Sequence, residues 1–141
     1  MFSRCFGCMC ELTNHTDTCP VCGFNNNICE NPKECLPLGH LLGARFTIGQ
    51  AIGIGSFSVS YIAWDNVEQT PVTVKEFLPS DLVCHYQGTS AIRFFSDDDR
   101  ESFFAGLSKF HSLTVELRRL SHLECSHKII DYINAFLISE K

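Results

Sequence analysis

Two groups of residues in this 141-residue chain could do chemistry. The first is Gly53 and Gly55 in IGIGSFSVSYIA (52–63), followed by Lys75 in VTVKE (72–76), which sets a glycine-rich turn between two strand-like runs and a lysine on a third. Glycine can take φ > 0 and lets a backbone approach a triphosphate closely, and a lysine on a rigid strand can place a point charge on its oxygens. A nucleotide site is the leading expectation. Against it stand two ordinary facts: strand lysines are mostly solvated edge charges, and hairpin turns use Gly-x-Gly routinely.

The second group is a pair of C-x-x-C motifs, Cys5/Cys8 and Cys19/Cys22, with ten residues between them. Each can form a tight knuckle with both sulfurs aimed at one centre, and two knuckles supply four thiolates for a tetrahedral zinc ion. A segment of some 25 residues buries too little apolar surface to fold alone, so the metal would supply its folding free energy. Four protein ligands leave no open position, which predicts structural Zn2+ and no catalytic role. Free thiols or a redox pair are the alternatives, but the βαβ setting of a redox C-x-x-C is missing. Cys10 lies close enough to compete as a ligand without having the knuckle spacing. Cys29 and Cys35 read as unliganded, and His15 as exposed.

Seven of the nine cysteines precede residue 36, and the composition changes near residue 40. The expected organisation is a zinc-ribbon module at 1–26, a linker at 27–40 whose Asn, Pro and Gly show no period, and a larger segment at 41–141. Sixteen acidic against eleven basic residues give a net charge of −5 without a basic stripe, so nucleic acid is not an expected partner. Arg118 and Arg119 read as a solvated helix edge. No secretory signal and no membrane segment is visible, which predicts a cytoplasmic protein.

The chemistry-bearing residues need elements to hold them. Strands are predicted at Arg45–Ile48, Phe57–Ala63 and Thr70–Phe77, the last placing Lys75 on one face with Thr73 and Phe77. Leu78–Ser90 reads as irregular and Ala91–Phe95 as a short strand. Ser96 before Asp97, Asp98 and Asp99 starts a helix, and Phe103, Leu107, Phe110, Leu113, Leu117 and Leu120 mark its apolar stripe, with a break expected near His111 and Ser112. Ile129–Ile138 reads as one strand, the fourth.

Glycine-rich hairpin, strand lysine, helix glutamate and a further strand, in that order, resemble the N-terminal lobe of a protein kinase. More narrowly, LLGARFTIGQAIGIGSFSVSYIAWD, VTVKEFLPSDL, GLSKF, ELRRL and HKIIDYINAF, together with CFGC and CPVCGF, resemble bacterial serine/threonine kinase-like proteins with an N-terminal zinc ribbon. The resemblance implies an α+β fold: a small zinc ribbon, then an incomplete kinase N-lobe of antiparallel sheet plus one long helix. It implies ATP as ligand, with Gly53 and Gly55 over the phosphates, Phe57 and Ser58 at the loop tip, Lys75 on the α- and β-phosphates and Glu116 paired with Lys75. Ser58, Ser60 and Thr73 depart from the family's glycine, valine and alanine.

No His-Arg-Asp loop, catalytic-loop asparagine or Asp-Phe-Gly motif occurs in the sequence. Mg2+ is therefore expected only if the rest of a kinase domain is supplied, and no phosphoryl transfer from this chain alone. The fifth strand of a kinase lobe lies between the third and fourth, so a chain ending at Ser139-Glu140-Lys141 is expected to leave a gap in the sheet and a truncated, pseudokinase-like lobe. The alternative expectation is a noncatalytic module that binds a protein partner through the ribbon or an exposed sheet edge.

Overall fold

A computed structural model describes residues 3–12, 16–86, 89, 91–119, 129–133 and 136–140. The expectations for His15 and Leu120, and for the side chains of Leu117, Arg118 and Arg119, lie outside the described structure.

Strands β1 (Ser3–Arg4) and β2 (Glu11–Leu12) pair within the cysteine-rich segment. The main sheet opens with β3 (Leu41–Leu42), β4 (Phe46–Ile54), β5 (Ser58–Asp65) and β6 (Thr70–Phe77), successive antiparallel neighbours. Alternation along β6 is strict: Val72, Val74 and Glu76 are buried on one face, whereas Thr73, Lys75 and Phe77 lie on the other. Leu78–Ser90 is more regular than its sequence implies, because β7 (Val83–His85) pairs with β8 (Ile92–Phe94) as a second antiparallel ribbon.

Helix α1 (Asp97–Arg119) is continuous through His111 and Ser112, with no break. Ser96 caps it, its Oγ accepting from the Asp99 amide at 3.0 Å, and three aspartates fill the first turn. Its inner face runs Phe103, Leu107, Phe110 and then Thr114, which is 1% exposed; Leu113, expected in the stripe, is 60% exposed. Steps of 4, 3 and 4 residues follow the 3.6-residue period, and they lead to Thr114. Its hydroxyl is satisfied by donating to the Phe110 carbonyl at 2.9 Å, so a polar residue fits a buried position. The ring of Phe77 packs between Phe103 and Phe110, with centroids 5.4 and 5.6 Å away, and a Cβ at Gly106 would sit 2.7 Å from that ring.

The run Ile129–Ile138 is not one strand. It is two, β9 (Ile129–Ile133) and β10 (Phe136–Glu140), which pair antiparallel. β10 also pairs with β6, giving the order β3-β4-β5-β6-β10-β9. The expected gap is filled. The two strands face each other at their near ends, with Ile133 opposite Phe136. A central strand faces neighbours on both edges, so its apolar run hides the boundary that a turn would otherwise mark.

The segment expected to be a linker is packed. Leu36 is fully buried and Cys35 nearly so, both in the main core with Phe46, Ile48, Tyr61, Val72 and Val74. Asn31 holds the β-bulge between Ile48 and Ala51: its Nδ2 donates to the carbonyls of Leu36 and Gly49, both at 3.0 Å, and its Oδ1 accepts from the Ala51 amide at 2.8 Å. Asparagine, read in sequence as a loop residue, is here a bridge.

The cysteine-rich segment docks on the opposite face of the sheet. Met9 packs with Ile62 and Trp64, Arg4 stacks over the Trp64 ring with Cζ 3.4 Å from its centroid, and the Gln50 amide donates to the Phe6 carbonyl at 2.7 Å. This approach needs glycine at position 49, where a Cβ would lie 2.5 Å from the Phe6 oxygen. At the far end of β5, Asp65 takes a bidentate pair from Arg45, Nε and Nη2 each at 2.8 Å, and also accepts from the Val67 and Glu68 amides. No helix among the described residues is long and apolar enough to cross a membrane.

Gly49→Ala should destabilise the chain by about 1–3 kcal/mol through overpacking, read as a lower denaturation midpoint, and should expose the Trp64 indole to a fluorescence quencher. The Arg45 guanidinium holds the Asp65 carboxyl below its ordinary value of 3.8. A depressed pKa contributes stability that is present above the unfolded value and lost as pH falls through the folded one. Asp65→Asn should therefore cost about 1.5–3 kcal/mol at neutral pH in urea melts, with the difference from wild type shrinking below about pH 4.

Candidate functional site

The two knuckles are built alike. In the first, the Cys5 amide donates to Cys10 O at 2.9 Å and the Met9 amide to Cys5 O at 2.7 Å; in the second, the Cys19 amide donates to Phe24 O at 2.9 Å and the Gly23 amide to Cys19 O at 2.9 Å. Each also turns an amide on its first sulfur, Gly7 N to Cys5 Sγ at 3.2 Å and Val21 N to Cys19 Sγ at 3.4 Å. The residue after each second cysteine has a left-handed backbone, Met9 at φ 65° and Gly23 at φ 79°. Glycine meets that requirement at little cost, and methionine meets it with strain of about 1–3 kcal/mol. Burial of the Met9 side chain against Ile62 and Trp64 offsets the strain, so the knuckle turn also anchors the segment to the sheet.

The sulfurs of Cys5, Cys8, Cys19 and Cys22 all lie within 4.8 Å of one another. Cys5 to Cys22 is 3.6 Å and Cys8 to Cys19 is 3.7 Å. Bonds of 2.3 Å in a tetrahedron require sulfur separations of roughly 3.8 Å, so the four cysteines could hold a metal ion such as zinc. Asn26, unremarked in the sequence, joins the halves: its Nδ2 reaches Cys5 Sγ at 3.5 Å and Asp17 O at 3.3 Å, and its Oδ1 accepts from the Phe6 amide at 2.8 Å. Nothing in the sequence says that the Asn26 side chain folds back 20 residues onto Phe6.

The thiols are not equivalent. Backbone amides, that of Cys22 first, pull Cys19 down to about 6, whereas burial pushes Cys8 up to about 11 and Cys22 up to about 12. Burial also raises Cys10, which lies outside the group of four but places its Sγ 3.3 Å from that of Cys19.

The second site is organised by register. Gly53 on β4 is opposite Ser60 on β5, Ser60 is opposite Lys75 on β6, and Lys75 is opposite Leu137 on β10. Residues directly opposite share a face, and strands lie about 4.8 Å apart, so the Gly53 and Lys75 backbones are roughly 10 Å apart on one face. An extended lysine can reach beneath the hairpin from there. Gly53 and Gly55 do not have positive φ; their contribution is the missing Cβ. A Cβ at either would meet nothing closer than 3.6 Å, so the space over both is open.

Phe57 stands at the hairpin tip, 69% exposed, and Ser58 is half-buried. The loop is tied down by Leu78 N to Phe57 O and Ser80 N to Ser56 O, both at 2.9 Å, and by Gly55 N to Ser58 O at 2.8 Å. Ser60 and Thr73, which depart from the family pattern, lie half-buried on the Lys75 face. Lys75 is exposed, and so is Glu116 on α1, where Thr114 takes the buried position of that turn.

The residue beside Lys75 was not singled out in sequence. Glu76, 2% exposed, accepts from the Tyr61 hydroxyl at 2.7 Å and meets His85 Nε2 at 2.6 Å; Tyr61 in turn accepts from the Leu36 amide at 3.0 Å. Burial raises the Tyr61 hydroxyl well above its ordinary range, so it stays a donor. The signal available in sequence was only the alternation of β6, which puts a carboxylate among valines.

No family model matches the chain, and no curated protein matches it. A solved structure described as "PpkA-294 apo form", a bacterial serine/threonine kinase fragment, superposes with a TM-score of 0.65 at 25% sequence identity. The fold is kinase-like. The match covers 77% of this chain and 39% of that structure, so the chain spans well under half of the protein it resembles.

Because Cys8 and Cys22 are protonated at neutral pH, zinc binding should release at least these two protons. Calorimetry in buffers of different ionisation enthalpy should show this, and zinc affinity should weaken as pH falls.

Proposed function

We propose that residues 41–141 are a nucleotide-binding, kinase-like N-lobe that carries a structural zinc ribbon, residues 1–26, joined through residues 27–40. The observation that carries the nucleotide reading is the register row Gly53, Ser60, Lys75, which sets the open glycines and the lysine on one face of the sheet. The strand order supports it, with β10 seated between β6 and β9 as the fifth strand of a kinase lobe sits between the third and fourth.

On this reading Gly53, Gly55, Phe57 and Ser58 cover the phosphates of ATP, Lys75 neutralises the α- and β-phosphates, and Glu116 supports Lys75. The sequence contains neither the base nor the metal ligands of phosphoryl transfer. Mg2+-dependent chemistry would need the rest of a kinase domain, and the 141 residues alone act as a binding lobe in the cytoplasm. A protein-binding role for the ribbon is the second reading, favoured by Val21, 74% exposed on its surface, and by Ile28, 73% exposed just beyond it.

Mg-ATP should raise the melting temperature of the purified chain, and Lys75→Met should abolish the shift while leaving the ligand-free melt unchanged. Absence of any shift at millimolar ATP would remove the nucleotide reading and leave the ribbon reading standing.

A further inference from the structure

The knuckles differ at one equivalent place. Phe24 closes the second, and Cys10 closes the first, each through a carbonyl that accepts from the amide of that knuckle's first cysteine. One lays an inert phenyl ring beside the sulfurs, the other a fifth thiol. Cys10 Sγ is 3.3 Å from Cys19 Sγ, shorter than the Cys5–Cys22 and Cys8–Cys19 separations of 3.6 and 3.7 Å. Cys19 is buried, whereas Cys10 is partly open to solvent, so an oxidant can reach the pair from the Cys10 side.

We propose that Cys10 and Cys19 are a thiol pair that closes to a reversible disulfide and, in closing, displaces the zinc ion. The inference rests on the zinc reading of the four-cysteine group. A hydroperoxide is the oxidant class that fits, because it is small and leaves no bulky adduct. The Cys10 sulfur attacks one peroxide oxygen, the O–O bond breaks, and the product is a sulfenic acid at Cys10 plus one water or alcohol. The Cys19 thiolate then attacks the Cys10 sulfur; the S–S bond forms, the S–O bond breaks, and the hydroxyl leaves as water with a proton taken from solvent. The two sulfurs lose two electrons, the peroxide gains them, and the metal is left with three sulfurs. A dithiol reductant reverses the bond and restores the ligand.

Zinc-loaded full-length chain is treated with hydrogen peroxide while released zinc is followed with a chromogenic chelator and disulfides are mapped by peptide mass spectrometry. A Cys10–Cys19-linked peptide, zinc released in step with it, and recovery of both on adding dithiothreitol and zinc are expected. Cys10→Ser should bind zinc normally and release it at least about tenfold more slowly, because the thiol that attacks the peroxide is gone, whereas Cys29→Ser should behave as wild type. A map without the Cys10–Cys19 link, or wild-type release from Cys10→Ser, overturns the proposal. Zinc well below one per chain in the untreated protein overturns the metal reading instead, and the disulfide map still decides the pair.

Discussion

A buried carboxylate sits at the centre of the sheet. Glu76 is enclosed among Val72, Val74 and Val59, and an unpaired charge there would cost several kcal/mol, so its partners must be in place for the chain to fold. Those partners come from separate segments: Tyr61 from β5, His85 from β7 and, through the Tyr61 hydroxyl, the Leu36 amide. The network therefore recruits three stretches of chain onto one face. It also fixes the opposite face, because side chains alternate along a strand and a slip of one residue would bury Lys75 and expose Glu76. The exposure of Lys75 is thus a consequence of what its neighbour requires.

Much of this was legible in the residues. The hairpin around Gly53 and Gly55, the alternation of β6, the capped start of α1 and the two C-x-x-C knuckles depend on local periods and turn chemistry, and each is present. What could not be read depends on distant partners. Asn31 and Leu36 look like linker residues because the groups they serve, the β4 bulge and the Tyr61 hydroxyl, lie 18 to 25 positions away. The division of Ile129–Ile138 into β9 and β10 was hidden by the apolar continuity of a central strand. Leu113 was placed in the helix stripe because leucine suggests burial, while the helical period put Thr114 there and a bond to Phe110 made that tolerable.

The two chemical sites differ in how they are built. The cysteine site is local, made from two turns of the same design, and its geometry fits a metal ion without reference to the sheet. The lysine site exists only through strand register, as residues 53, 60 and 75 come together across β4, β5 and β6. Met9 and Gly49 connect the two. The first is a strained turn residue whose side chain lies against Ile62 and Trp64, and the second is a glycine that admits the Phe6 carbonyl against β4.

The place of Leu36 bears on how the chain could be divided. Composition suggests a cut near residue 40, yet a polypeptide starting at Leu41 would lack the amide that the Tyr61 hydroxyl accepts from and the side chain that fills the core beside Phe46. It would also lack Asn31, and the bulge in β4 would lose its two hydrogen bonds to that side chain, at Gly49 O and Ala51 N. The smallest piece able to keep the sheet intact has to begin no later than Asn31. In this molecule a seam in composition is not a seam in mechanics.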